Sequence, residues 1–320
     1  MLSKNRNLIL IVVLLAALVI FFVGRYAKSG NSNFRTKLPA FDSKAVTEIV
    51  ISPPNNADAI TLKLLNEKWM VDDSGQQYGA VKSLPNSLAE NLSGASVKRV
   101  AATNSEKWAG FKTTDSLGTR IVLKEDGQVL STIILGRFEY IQPQQAAPDP
   151  YGRQPQGEMI SYVRVGDEEP VYAIDGMLAL GMGKTVDDFR DKTILHLDKN
   201  SVNRMQFQYA EKGSFELKKV NGEWLLDGLP ADSATLVNFL TKVSNIRGKT
   251  FASQQIPGSK TGDRLTVYSS MQDSVEIIAF KADTSLTLIE SSQNPGNVFM
   301  DEGHKIADKI FVTKQMFLGQ

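Results

Sequence analysis

Two histidines, His196 and His304, are the only imidazoles in the chain. His196 has Asp198 two residues on, and His304 follows Asp301 and Glu302. A catalytic zinc centre takes about three protein ligands, and neither histidine has a third donor at metal spacing. Both read as surface histidines. Gly181-Met182-Gly183-Lys184-Thr185 imitates the end of a phosphate-cradling loop, but that loop needs a glycine at 178, where Leu178 stands. A turn into a helix accounts for the stretch. The acid pairs Asp72-Asp73, Glu168-Glu169 and Asp187-Asp188 have the chemistry of a general acid and base. Adjacent residues on a strand or loop point apart, so these read as solvated turn carboxylates. There is no Gly-x-Ser-x-Gly elbow. The absence of cysteine removes thiol catalysis, disulfides, cysteine-ligated metals and a thioether anchor. No catalytic, cofactor-binding or metal-binding residue is assigned, and the expectation is a protein that is not an enzyme and carries no cofactor.

The elements behind these residues form an internal repeat. Val46 to Ile51 has the apolar rhythm of Val202 to Phe207, Ile60-Thr61-Leu62-Lys63 matches Phe215-Glu216-Leu217-Lys218, and Asn66 to Val71 matches Asn221 to Leu226. Alternation around an Asn-Glu or Asn-Gly turn predicts β-hairpins, with Trp69 and Trp224 as equivalent core anchors. Carried forward at the same offset, Val81, Leu84 and Leu88 align with Leu236, Phe239 and Val243 on one helical face. Asp232 or Ser233 serves as N-cap of the second helix, and Pro85 must sit in the first turn of the first or shorten it. Further strands follow at 119–123, 129–135, 160–165 and 171–174, matched to 264–268, 275–280, 297–300 and 310–312. Residues 142–157, rich in Gln, Pro and Ala, read as a long hairpin loop. The fold class expected is α+β: two tandem copies of an antiparallel sheet with one packed helix, in the order strand-strand-helix-strand-strand-strand, after one transmembrane helix. The segment Asp187 to Leu195 joins the copies, and salt-bridged packing explains its charges.

That helix is expected at Leu8 to Gly24, where sixteen apolar residues precede the glycine. As a helix it rises about 26 Å, slightly less than the roughly 30 Å hydrocarbon core, and Lys4, Arg6 and Arg25 can reach the headgroups from both sides. A cleaved signal peptide is the rival, but no Ala-x-Ala site follows and Arg25 stands where cleavage would fall. The overall charge of +1 is therefore a composite, with +5 in residues 1–35 and −4 in the remainder. A body of that charge without a basic stripe excludes nucleic acid as a partner. Counting positive charges alone would place the body in the cytoplasm. The layout of a short basic leader and apolar run is that of a signal-anchor, and the reading taken is single-pass, in the cytoplasmic membrane, with the body outside. The organisation is then 1–7 tail, 8–24 anchor, 25–43 tether, 44–198 first repeat and 199–320 second repeat.

The anchor, the Trp hairpins, Trp108-Ala109-Gly110-Phe111, Phe189-Arg190-Asp191-Lys192-Thr193-Ile194 and the stretch Trp224…Ala231-Asp232-Ser233…Val237…Leu240 resemble the bacterial family of domain of unknown function 4340 over nearly all the chain after residue 44. The first copy departs from it at Gln77, where the Ala-Asp pair before the helix is missing, and in its Gln/Pro-rich insertion. The resemblance implies an anchored envelope protein, associated in some members with ABC-type transport systems of the gliding-motility kind. It carries no catalytic residues. The function expected is a non-enzymatic interaction module of a membrane complex, with the bilayer and an integral-membrane protein as partners. The alternatives are a binder of envelope polymer or lipid between the copies and, third, a hydrolase using carboxylates from both.

Overall fold

The strands of both repeats hydrogen-bond into sheets of one design, seen in a computed structural model that describes residues 34–318 apart from 56, 74, 82, 143–156, 179–181, 183–184, 212 and 253–261. The first sheet draws on β1 (Glu48–Ser52), β2 (Ile60–Leu65), β3 (Lys68–Asp73), β4 (Gln76–Gly79), β5 (Val97–Ala102), β6 (Thr119–Glu125), β7 (Gln128–Ile141), β8 (Glu158–Val165) and β9 (Val171–Asp175). Helix α1 (Ser83–Leu92) lies between β4 and β5. The second uses β11 (Val202–Tyr209), β12 (Gly213–Val220), β13 (Glu223–Leu226), β14 (Leu229–Pro230), β16 (Thr250–Phe251), β17 (Asp263–Ser269), β18 (Val275–Lys281), β19 (Leu286–Ser291) and β20 (Val298–Glu302). Helix α2 (Ser233–Val243) follows β14, and β10 (Thr193–His196) pairs with β15 (Asn245–Arg247) beside this sheet. The order β4-β3-β2-β1-β6-β7-β8-β9-β5 is repeated as β14-β13-β12-β11-β17-β18-β19-β20-β16. Every pairing is antiparallel.

The expected fold class needs correction. The molecule is mostly β: two nine-stranded sheets, each with one helix longer than a single turn among the described residues. The pattern strand-strand-helix-strand-strand-strand undercounts, because four strands precede the helix and five follow it. Short strands such as β14, of two residues, carry too little alternation to be seen. Ile310 to Val312 is no strand; β9 answers to β20, and β8 to the unexpected β19. The expected transmembrane helix, Leu8 to Gly24, lies outside the described residues, and no helix among those described is long and apolar enough to cross a membrane.

Alternation builds each core. Ile49, Ile51, Leu62, Trp69, Val71, Ile121, Leu123, Ile133 and Leu135 face Leu88, Ala89 and Leu92 of α1. Their counterparts Met205, Phe207, Leu217, Trp224, Leu226, Leu265, Val267 and Ile277 face Leu236, Phe239, Leu240 and Val243 of α2. Both tryptophans are buried core anchors. Hairpin turns fix the register: Asn66 and Glu67 (φ 48° and 64°) and Asn221 and Gly222 (φ 50° and 91°) take the left-handed pair that matches strand twist. Glu67 does so without glycine's freedom.

The helix alignment slips by four residues. Trp69 answers Trp224, an offset of 155, but Ala80 answers Ala231, an offset of 151: Ala80 N–H donates to the Trp69 carbonyl as Ala231 N–H donates to that of Trp224. The β3–β4 hairpin is four residues longer than the β13–β14 hairpin, two in each strand, with a two-residue turn in both. Pro85, Leu88, Ala89 and Leu92 therefore correspond to Leu236, Phe239, Leu240 and Val243. Val81 precedes the helix, and Pro85 does lie in its first turn.

The segment before β1 is part of the body. Lys37 bridges to Ser96, Leu38 is buried, and Phe41 N–H donates to Ser93 Oγ. Its composition resembles a tether because only Leu38 and Phe41 supply apolar contact. Likewise Ile194, Leu195 and Leu197 pack in the second core. Residues 104–118 cover the outer face of the first sheet, where Trp108, Phe111 and Ile141 pack on Ile160, Tyr162, Val171 and Ala173.

Candidate functional site

The residues first considered for chemistry are dispersed. Asp72 accepts from Gly75 N–H in its own turn. Glu168 binds Arg35 and accepts from the Tyr172 hydroxyl, and the Glu169 carbonyl accepts from Trp108 Nε1. Thr185 and Asp188 form a capping box at the short helical turn Val186–Phe189, the turn that the Gly-Met-Gly-Lys-Thr stretch suggests; Gly181, Gly183 and Lys184 are outside the described residues. His196 is exposed on β10. Among the described residues no group of three or more His, Asp or Glu is placed to hold a metal.

What converges instead is the joint between repeats. Phe189 is buried in the first core, and its carbonyl accepts from Val81 N–H. Arg190 then bridges to Ala80, and Asp191 N–H donates to the Gly79 carbonyl, so the chain runs along the first sheet's edge before crossing over. The Arg190 guanidinium, in a residue only 6% exposed, is sandwiched between the Tyr78 ring of the first repeat at 3.7 Å and the Phe251 ring of the second at 3.8 Å. Its Nε donates to Asn297 Oδ1 at 3.0 Å and its Nη1 to Asp187 at 3.0 Å. Asn297 donates in turn to Asn294 Oδ1, and Asn294 Nδ2 donates to the carbonyls of Asp191 and Thr193. Arg247 pairs with Asp191 at 3.9 Å. Salt-bridged packing at the joint was legible from the charges of 187–195. The stacking partners were not, since each lies on another strand.

Sequence reasoning also missed a cleft of about 340 Å³ in the second repeat. Tyr209, Phe215 and Phe311 line it as an aromatic wall, and Asp263, Lys281, Asp308 and Lys314 bring two charges of each sign. Burial pushes the Tyr209 phenol well up, and its hydroxyl donates to the Val312 carbonyl. Lys314 pairs with Asp227, whose carboxyl it holds below the usual range. His304, at φ 57°, closes one side. Its Nε2 faces the Thr284 carbonyl at 2.9 Å and its Nδ1 the Thr287 hydroxyl at 2.6 Å. A carbonyl only accepts, so in the neutral ring the proton sits on Nε2 and Nδ1 accepts from Thr287. A hydroxyl beside an oriented imidazole has the layout of an activated nucleophile. Thr287, however, is 1% exposed, so its oxygen is not presented to a substrate; the contact fixes His304 in its left-handed conformation. The cleft offers donors and acceptors to a small polar ligand.

The sequence model of one family, described as Domain of unknown function (DUF4340), matches residues 149–267. The chain resembles that family, and the matched stretch runs from the hairpin insertion through the joint and α2 into β17. No curated protein and no solved structure matches the chain.

Proposed function

We propose that this protein is a bacterial envelope protein, held in the cytoplasmic membrane by its apolar segment Leu8 to Gly24, whose duplicated β body is a non-enzymatic interaction module for an integral-membrane partner. One observation carries the reading. Only residues 25–34, ten in number, separate the apolar segment from Arg35, which is fastened to Glu168. Fully extended, ten residues reach about 35 Å, so a body tied at Arg35 stays close to the bilayer surface. A long free tether suits a protein that samples distant ligands; a short one suits a protein that sits on a membrane neighbour. The basic residues Arg25 and Lys28 lie in that interval and favour the headgroup region. The body is placed on the extracytoplasmic side, following the signal-anchor layout.

Pull-down of the full chain from gently solubilised membranes tests this. Recovery of an integral-membrane protein, lost when the ten-residue interval is lengthened by about 30 flexible residues, is the expected result; isolation of the chain alone would overturn it. The second reading, a ligand-binding protein, is favoured by the cleft at Tyr209 and His304 in place of a groove between the copies, where Arg190 fills the space. A thermal shift with glycan or lipid headgroup fragments, abolished by Lys281→Ala, would carry it.

A further inference from the structure

Following the ladders strand by strand gives each joint residue a counterpart in the other repeat. On the donating side, Tyr78 pairs with Val71 as Leu229 pairs with Leu226. The Phe189 carbonyl accepts from Val81 N–H as the Phe317 carbonyl accepts from Asp232 N–H, so Arg190 answers to Leu318. Thr185…Phe189 and Thr313…Phe317 share the same spacing, and each ends a repeat by burying its phenylalanine. On the receiving side, Phe251 pairs with Phe299 as Val100 pairs with Tyr172, and Asn297 precedes β20 as Pro170 precedes β9.

The two sides of the joint are thus each present twice, once engaged and once open. Engaged, Tyr78 and Arg190 meet Phe251 and Asn297. Open, the second repeat presents Leu229, 65% exposed, and Leu318, 37% exposed. The first repeat presents Val100 and Pro170, both half-buried, with Phe34 exposed beside the start of the body. The substitutions match in kind. Where the engaged joint sets a guanidinium against an amide, the open faces set Leu318 against Pro170; where it stacks aromatic rings, they set Leu229 against Val100. The terminal repeats of a tandem array are ordinarily given a polar outer face, and two exposed leucines at a repeat edge are the reverse.

We propose that the open edge of the second repeat, Leu229 and Leu318, docks on the β5 and β8–β9 end of the first repeat of another copy of this chain, continuing head to tail the relation that Arg190 makes within one chain. The contact is heterologous, and it builds a ring or a row according to whether its rotation closes. It does not depend on the identity of any membrane partner.

The absence of cysteine makes the test clean, since any introduced thiol is unique. Full-length chain in detergent or lipid nanodiscs is prepared as Leu318→Cys and, separately, as Pro170→Cys. Mixed and mildly oxidised, the two are expected to give a disulfide-linked heterodimer, and each alone to stay mostly uncoupled. A chain carrying both is expected to give a ladder of multimers. Leu229→Asp changes a residue exposed in the single chain, so it leaves folding intact; it is expected to weaken self-association in sedimentation by at least about tenfold. Coupling of Leu318→Cys with itself in preference to Pro170→Cys would replace the head-to-tail arrangement with a two-fold one and overturn the proposal. So would a wild-type chain that sediments as a monomer at about 100 μM.

Discussion

Replacing Arg190 by alanine should uncouple the repeats. Asn297, 1% exposed, would lose its charged donor and keep a buried oxygen unsatisfied, at a cost of about 1–3 kcal/mol. The stacks on Tyr78 and Phe251 add about 0.5–2 kcal/mol each. The ion pair with Asp187, whose side chain is 50% exposed, contributes under about 1 kcal/mol. The arginine's restored freedom and hydration offset part of this, leaving a net loss of about 3 kcal/mol. Because Asp187 faces solvent, no buried charge is stranded, and the larger penalty of a broken buried pair does not arise. In tandem-repeat proteins, stability is a sum of repeat and interface terms, so the loss falls on the coupling. Trp69 and Trp108 report the first repeat and Trp224 the second. Followed in urea, Trp224→Phe and the Trp69→Phe/Trp108→Phe pair should show coincident midpoints with Arg190 present and separated ones with Arg190→Ala. Arg190→Lys, which keeps the charge but not the planar stack, should fall between. Coincident, unshifted midpoints in Arg190→Ala would refute the reasoning.

Three further outcomes follow from single residues. A Cβ at Gly136 would lie 2.3 Å from the Phe111 carbonyl and 2.7 Å from Thr113 Cγ2, so Gly136→Ala should destabilise the first repeat by about 1–3 kcal/mol, read by its tryptophans while Trp224 stays unchanged. Phe317→Ala should cost the second repeat about 3–5 kcal/mol, measured by the urea midpoint of the Trp224 signal. Asp227 is held low by Lys314 and Asp232 by the Thr235 and Ala234 N–H groups; such stability is present above the ordinary carboxylate value of about 4 and is lost as pH falls through the lowered one. The Trp224 midpoint should therefore decline from about pH 4 downward, and Asp232→Asn, which still caps, should flatten that decline without loss at pH 7.

The hairpins and cores were legible because two-residue alternation survives wherever one sheet face is buried, as at Ile49, Ile51, Leu62 and Val71. The repeat was legible for the same reason. Its helices were misaligned for a physical cause: the four residues by which the strands of the β13–β14 hairpin are shorter nearly equal one helical turn, so Val81, Leu84 and Leu88 imitate the apolar face that Leu88, Ala89 and Leu92 in fact share with their neighbours. With the slip removed, Ala80 stands opposite Ala231, and the first copy departs from the Ala-Asp pair at Val81 instead of at Gln77. β8 was legible as a strand at 160–165 although it does not alternate, since both its faces are buried there, the outer one by Trp108 and Phe111. Neither the joint nor the cleft could be read along the chain. Arg190 meets Tyr78 and Phe251 across more than 100 and 60 positions in opposite directions, and His304 meets Thr287 through a sheet pairing that the sequence did not resolve.

Where two repeats share every ladder, the fold explains what they have in common and leaves their differences to be explained by use. The first repeat spends an outer sheet face on the cover of residues 104–118 and extends β7 and β8 beyond β6 toward the insertion, with Tyr140 and Met159 exposed across the pair. The second keeps a short β18–β19 turn and opens the cleft at Tyr209 and His304. Neither feature follows from the strand order, which the two repeats share. Exchanging them separates their roles. Shortening the β7–β8 extension to the length of the β18–β19 turn should leave the cleft and the joint intact, so a loss of partner recovery with unchanged Trp224 stability would place the contact on the first repeat. Unchanged recovery would move it to the second.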